Sequence, residues 1–409
     1  MCRNQAYIKN LKRNFIMKKT LTTAFSLLLS FSVFSQEKTE DKGKLTFSGY
    51  VDSYYMANLN SPISRLNTGA SGTARAFDVK AGQFSLGLIQ TKMTYSTSKL
   101  DIVGDLTFGP NADLGNYGNV VGRVGATYDA NNVAVPTTGT ALAIKQAYVA
   151  WKATDKLTLT MGQFGTHIGY EVIDAPVNYH YSLSNLFNNG PFYHVGLKAQ
   201  YNFSDKVYLM AGIVNNVDNL DDNNRAKGLI AQLFVSPVTG WNVYLNAISS
   251  NEANADVKGK TPDASYSLFD LTTTYQITPK FMLGINAATG SQSGDYQTLT
   301  TNPKFVKNSG TWGGVAFYTN YSVSDVFSIG ARYENFANQD AVRGLRIDSA
   351  TGVTVNSLTV TTTFTVADGH LLIKPEFRSD AFDKNFFVDG DGKDQKSQST
   401  LGLAVIAKF

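Results

Sequence analysis

The sequence predicts an all-β fold, a transmembrane antiparallel up-and-down β-barrel of about 16 strands. Three observations predict it. Apolar and polar residues alternate with period two through most of the chain. Short polar turns of one type, such as Thr154-Asp155-Lys156, Ser204-Asp205-Lys206 and Thr278-Pro279-Lys280, alternate with long connections. Charges gather on the strand parity opposite to the aliphatic residues.

The chain starts with an export signal rather than with part of the fold. Lys18 and Lys19 form a basic region, Leu21 to Phe34 an apolar and hydroxyl-rich one, and Ser35 supplies a small residue before a cleavage point at Gln36. This apolar run is short for a membrane helix, which needs about 20 residues. Met17 is the better start codon. Residues 1–35 read as a signal peptide, 36–44 as a short periplasmic segment and 45–409 as the barrel. The signal holds six basic residues and no acid, so its removal takes the formal charge from +4 to −2. No basic patch then remains to argue for nucleic acid. The single cysteine, Cys2, precedes the apolar run, leaving the mature chain without disulfides or thiolate metal sites. Beyond Gln36 no apolar stretch approaches 18 residues, so membrane crossing by helices is excluded.

The first strand spans 45–57, with Leu45, Phe47, Val51 and Tyr55 on one face and Thr46, Ser48, Asp52 and Tyr54 on the other. Further strands fall at 84–97, 100–109, 142–153, 157–165, 192–203, 207–215, 228–235 and 241–249. The rest lie at 265–277, 281–289, 312–323, 326–335, 357–366, 370–380 and 399–409. Seven short turns interleave with eight long loops, so all the short turns share one end of the molecule. That asymmetry, with an even strand count, marks an outer-membrane barrel, whereas soluble sandwiches mix loop lengths. One strand departs from the pattern: Phe84, Leu86 and Leu88 have the opposite parity from Met93 and Tyr95. A bulge near Ile89, or a strand start in the loop region, would each reconcile them.

The faces carry the membrane argument. Val195, Leu197, Ala199, Tyr201 and Phe203 point one way; His194, Gly196, Lys198, Gln200 and Asn202 point the other. Hydrocarbon tolerates no unpaired backbone groups, so strands greasy on one face must close into a barrel without edges. Trp151, Tyr201, Phe203, Trp241, Tyr275, Phe281, Tyr321 and Phe327 lie within a few residues of the short turns. At that height they form an aromatic girdle at one membrane interface.

Several segments carry a family likeness. FSGYVDSYYMANLNSP resembles an opening strand, and IVGDLTFGPNAD, IKQAYVAWKATDKLTLTMGQFGTHIGYEV, GPFYHVGLKAQYNF and GIVNNVDNLDDNNR follow in order. KPEFRSDAFDKNFFVDGDGKDQKSQSTLGLAVIAKF resembles a closing hairpin with a charged loop. Taken together the chain resembles the OmpL-like β-barrel porin family, which implies an outer-membrane porin of undefined substrate. The terminal Phe409 on an alternating apolar strand is similar to the signal read by the barrel assembly machinery. Homo-oligomers are common among outer-membrane porins, though nothing in the sequence marks a protomer interface.

A barrel of this size is too wide for its own side chains to fill and leaves a water-filled channel. It would pass small hydrophilic solutes or ions passively, with outer-membrane lipid around it and no cofactor. The segment 166–191 is unusually apolar for an exposed loop, with Ile173, Tyr179, Tyr181, Leu183, Leu186 and Phe187. It is expected either to fold into the barrel mouth or pack on its wall, or to cap the rim as a partly helical lid. Glu171, Asp174, Asn178 and Tyr179 are then constriction candidates, facing Lys198, Arg332, Glu334, Lys374, Glu376 and Arg378 on the wall. Opposed charges across a narrow pore would filter ions, and solvated salt bridging on the wall is their ordinary role.

Other constellations are weaker. Asp389-Gly390-Asp391-Gly392 with Asp394 has part of a calcium loop, but the spacing fails the EF-hand pattern, so no metal is expected. Gly162, Gly165 and Gly169 precede no helix and suggest no dinucleotide. A lipid hydrolase would use His180 and Ser182, yet would need them on the outer face. The expectation is therefore a non-enzyme, with a barrel that merely displays binding or adhesion loops as the main alternative.

Overall fold

The computed structural model describes residues 42–69, 74–115, 143–220, 222, 224–253, 264–294 and 309–409. The proposed signal peptide and parts of the long loops lie outside the described residues. The first wall strands are β1 (Lys44–Asn58), β2 (Phe84–Ser96), β3 (Leu100–Phe108), β4 (Ile144–Lys152) and β5 (Leu157–Gly165). Next come β6 (Tyr193–Ser204), β7 (Val207–Val214), β8 (Gly228–Val235), β9 (Trp241–Asn251), β10 (Ala264–Thr278) and β11 (Phe281–Gly294). Then follow β12 (Gly310–Ser324), β13 (Phe327–Asn338), β14 (Val353–Val366) and β15 (Leu371–Phe382). The short β16 (Phe387–Val388) and β17 (Asp394–Gln395) form a separate hairpin before the last wall strand, β18 (Ser397–Lys408). Two short helices, α1 (Pro110–Gly115) and α2 (Asn185–Asn189), sit in the long loops.

Sixteen strands close into one antiparallel barrel, each bonded to its sequence neighbours in the wall. Closure runs between β1 and β18, from Tyr50 opposite Lys408 to Asn58 opposite Thr400. Below that ladder Gly49 and Phe409 exchange both backbone bonds, at 3.1 and 3.0 Å. No strand edge is left for the bilayer to solvate, as an apolar surround requires.

In four of the short turns a hydroxyl at the start satisfies the backbone of the return. Thr154 Oγ1 accepts from the N–H groups of Lys156 and Leu157 at 3.2 and 3.0 Å. Thr97 does the same for Lys99 and Leu100, and Thr278 for Lys280 and Phe281. Ser204 accepts from Lys206. Such local bonds favour turns over continued strand.

The parity break in the second strand is a bulge. Val51 faces Ile89 and Ser53 faces Leu86, so Gly87 and Leu88 together oppose Asp52. Asp52 Oδ1 accepts from the Leu88 N–H at 2.6 Å, taking up the donor that the bulge frees. A Cβ on Gly87 would lie 2.1 Å from Asp52 Oδ2, which is why glycine stands there.

Outward aromatics ring the short-turn end. Tyr201 packs edge-on to Phe203 at 5.1 Å, Trp241 meets Tyr275 at 5.9 Å and Phe281 meets Tyr321 at 6.5 Å. Phe327 pairs across the strands with Phe364 at 4.9 Å, and Trp151 is exposed on the same face. The buried core lies inside the barrel. Inward residues Tyr266, Trp312, Phe336 and Phe382 pack with Val342, Leu345 and Phe386 from the long loops, filling the end opposite the short turns.

Candidate functional site

The β5–β6 connection enters the barrel and packs on its wall, the first of the two geometries open from the sequence. Burial of its apolar side chains drives this: Ile168, Tyr181, Leu183, Leu186 and Phe187 are all buried. Phe187 stacks on Phe192 at 4.9 Å, and Phe77 from the β1–β2 connection closes on both rings. α2 forms one turn of the loop, capped by Ser184, whose hydroxyl accepts from the Phe187 N–H.

A backbone entering a barrel must have its polar groups met, and the wall meets them with charges. On β13, Glu334 accepts from the N–H groups of Asn185 and Leu186 at 2.8 and 2.7 Å. On β15, Glu376 accepts from Tyr181 and Ser182 at 2.7 and 3.1 Å. The cations take the carbonyls: Lys374 donates to Ala175 and Asn178 at 2.9 and 2.6 Å, and Arg378 to Leu183 at 2.6 Å. Arg332 donates to the Ser182 carbonyl at 2.8 Å and pairs with the Glu171 carboxylate. Glu171 in turn accepts from the Ser184 N–H at 2.7 Å. Alternating acid and base along β15 thus match alternating donors and acceptors along the loop. Hydrogen bonds to charged groups contribute about 1.5–3 kcal/mol each, so this face is a strong clamp.

Arg332, Glu334, Lys374, Glu376 and Arg378 are no more than 5% exposed. They lie beneath the loop instead of facing an open bore, because the loop's backbone consumes them. Of the other candidates, Asp174 pairs with Lys145 on β4 at 2.5 Å and accepts from Gln90 at 3.0 Å. Asn178 closes back on the N–H and C=O of Val172. Tyr179 is half-buried on the open side of the loop. Lys198 stands apart on β6, its ammonium 4.3 Å from the Phe164 ring.

Several site residues escaped the sequence argument. Asp52 accepts the Tyr181 hydroxyl at 2.6 Å, Asp270 accepts from the Gly169 N–H at 3.2 Å, and Lys145 holds Asp174. Arg75, from the β1–β2 connection, joins Asp78 at 2.5 Å and Asp380 at 2.9 Å, with Asp380 also bound to Arg378. Asp52 and Asp270 carried a usable signal, an inward carboxylate on an otherwise neutral strand face.

His180 is buried against the inner wall, its Nδ1 2.8 Å from Thr361 Oγ1, while Ser182 gives its N–H to Glu376. They face the barrel interior, the reverse of what lipid hydrolysis needs. Burial first, then the charges of Arg332 and Lys374, hold the His180 pKa well below the usual imidazole range. His167 at the loop's start is pushed down to about 3, mainly by burial and then by His194. Asp389 spends its carboxylate on the N–H groups of Asp391 and Lys393 and on Gln395, closing the β16–β17 turn. Among the described residues no group of three or more ligating side chains could hold a metal.

Between the first half of the loop and the wall of β4 and β8–β10 lies a cavity of ≈ 590 Å³. Lys145, His167, Tyr170, Asp174 and Tyr179 line one side, and Gln232, Tyr244, Asn246, Thr272 and Thr274 the other.

Solved structures of similar fold are outer-membrane proteins. The channel DcaP of Acinetobacter baumannii aligns with a TM-score of 0.55 at 13% identity, covering 92% of this chain and 100% of that one. OmpT of Vibrio cholerae gives 0.53 at 11%, covering 91% and 100%. An anion-selective porin from Comamonas acidovorans gives 0.52 at 10%, covering 90% and 100%. At such identities the likeness is one of fold. No curated protein matches the sequence. The family model described as "Putative beta-barrel porin-2, OmpL-like" matches residues 44–409, the whole barrel. The chain belongs to this family of OmpL-like β-barrel porins.

Proposed function

We propose that the protein is a passive channel of the outer membrane, admitting small hydrophilic solutes or ions past the loop at 166–191. The observation that carries this reading is the one-sided placement of the loop. Its middle is clamped to β13–β15 by buried charges, while toward β8–β10 its start bonds through His167 and Gly169 and leaves a cavity of ≈ 590 Å³ beside that wall. Flux would follow the uncovered wall, where neutral amides and hydroxyls predominate. Because Arg332, Glu334, Lys374, Glu376 and Arg378 are spent on the loop, ion selectivity would rest on Lys145, Asp174 and Lys198. Planar-bilayer recording tests the proposal: stepwise ion conductance supports it, and a silent, correctly folded barrel removes it.

Silence would favour the second reading, a barrel that displays loops without an open pore. The apolar packing of Val342, Leu345 and Phe386 within the outer end speaks for it. Export by cleavage after Ser35, a lipid-facing aromatic girdle and recognition of Phe409 by the assembly machinery belong to the same proposal. One structure of similar fold, OmpT of Vibrio cholerae, is described as a trimer form. A homo-oligomer is proposed here by likeness, and native mass spectrometry of detergent-extracted protein decides it.

A further inference from the structure

On the wall that the loop meets at His167, three aromatic side chains point into the barrel from adjacent strands. Tyr208 on β7 lies opposite Phe234 on β8, which lies opposite Tyr244 on β9. Their rings follow one another at 4.9 and 5.0 Å. All three are only half-buried, Tyr208 at the edge of the buried cluster, so part of each ring stays open to the lumen. The outward neighbours Leu209, Leu233 and Leu245 already serve the bilayer, and from the loop Ile168, Ile173 and Val177 border the same cavity as Tyr244 without closing it. A continuous, partly wet aromatic row on a lumen wall costs exposure and needs another reason.

Beside the row runs a fixed chain of hydrogen bonds. The Tyr208 hydroxyl donates to Gln232 Oε1 at 2.6 Å, Gln232 Nε2 to Asn246 Oδ1 at 2.7 Å, and Asn246 Nδ2 to Asp270 Oδ1 at 2.7 Å. Tyr244, Gln232 and Asn246 all border the cavity of ≈ 590 Å³. Among the described residues the Tyr244 hydroxyl makes no hydrogen bond. Flat apolar faces edged by oriented amides and hydroxyls suit a ligand with the same two surfaces.

We propose that Tyr208, Phe234 and Tyr244 form a binding track for neutral sugars, stacking the apolar face of a pyranose ring while the amides meet its hydroxyls. A hydrated anion gains nothing from such rings, and a cation would use their faces but not the row of neutral amides beside them. An aromatic acid would need a cation in the row, but Asn202, not Lys198, continues it into β6. The proposal deepens the channel reading and rests on it for transport, though not for binding.

The test is the ionic current through single channels in planar bilayers with maltose added. Wild-type current should show saturable block, weakened about tenfold in Phe234→Ala and in Tyr244→Ala. Leu229→Ala, on the lipid face, should leave the block unchanged. Folding is checked by heat-dependent gel migration, and Phe234→Leu replaces any alanine variant that fails it. Current that falls only with solution viscosity, or equal block in the variants, overturns the track and leaves the channel reading standing. Block by benzoate instead of maltose, abolished in Lys198→Gln, overturns it in favour of an anion site. If no ion current is seen, the channel reading falls, and saturation-transfer NMR of maltose with detergent-solubilised wild type tests binding by itself. Transfer that is lost in Phe234→Ala sustains the track; none at all overturns it.

Discussion

Arg332 is held by the Thr359 hydroxyl on the wall and meets the loop at two groups, the Glu171 carboxylate and the Ser182 carbonyl. Removing one member of a buried ion pair typically costs about 3–5 kcal/mol, far above the worth of an exposed pair. Arg332→Gln should therefore release the middle of the loop rather than just alter selectivity. Protease cleavage within 166–191 should become faster, while the barrel itself stays resistant. His180 sets a pH limit on the same contact. In the docked loop its pKa lies well below that of a freed imidazole, about 6.5, so release takes up a proton. Docking is then at full strength above that pH and weakens as pH falls below it. Thr361, Arg332, Lys374 and Arg378 surround the ring, with Glu376 on the far side of Thr361. Cleavage rates should rise as pH is lowered from about 7.5 to about 5.5 in wild type, and change less in His180→Gln. Inward parity made Arg332, Glu334 and Lys374 legible as lumen residues. Parity says which face a side chain takes and nothing of what lies over it, so their role as a clamp was not legible.

At the scale of elements, the turns and the bulge differ in what they hold. The Thr154 hydroxyl serves two backbone donors at an exposed turn where water can replace it. Thr154→Ala should cost about 1 kcal/mol or less. Gly162 in β5 is another matter: its φ is +136°, and a Cβ there would sit 2.2 Å from the Ala147 carbonyl oxygen. Gly162→Val should cost about 1–3 kcal/mol in backbone strain alone, with the clash added. Urea unfolding from lipid vesicles should rank the two in that order; the reverse ranking would contradict the local nature of the turns. The turns were readable because their chemistry is local. The bulge in β2 was half readable: the parity break at Leu88 was plain, but only the pairing with Asp52 shows how the ladder absorbs it. The β16–β17 hairpin went unseen, being two residues on each side and held by Asp389.

For the whole molecule, strand count, closure and the end carrying the short turns follow from alternation and loop length, because a bilayer enforces both on every strand. The interior obeys no such period. Where the 166–191 loop lies depends on Glu376 meeting Tyr181 and on Arg75 meeting Asp380, contacts between residues 195 and 305 positions apart in sequence. Apolar content predicted only that the loop would bury itself. The central claim is that this loop narrows a bore otherwise wide enough for water, and single-channel recording tests it directly. Replacing residues 171–187 by a short Gly-Ser linker should raise unit conductance several-fold over wild type in the same salt. Equal conductance in a folded, loop-replaced barrel would contradict it.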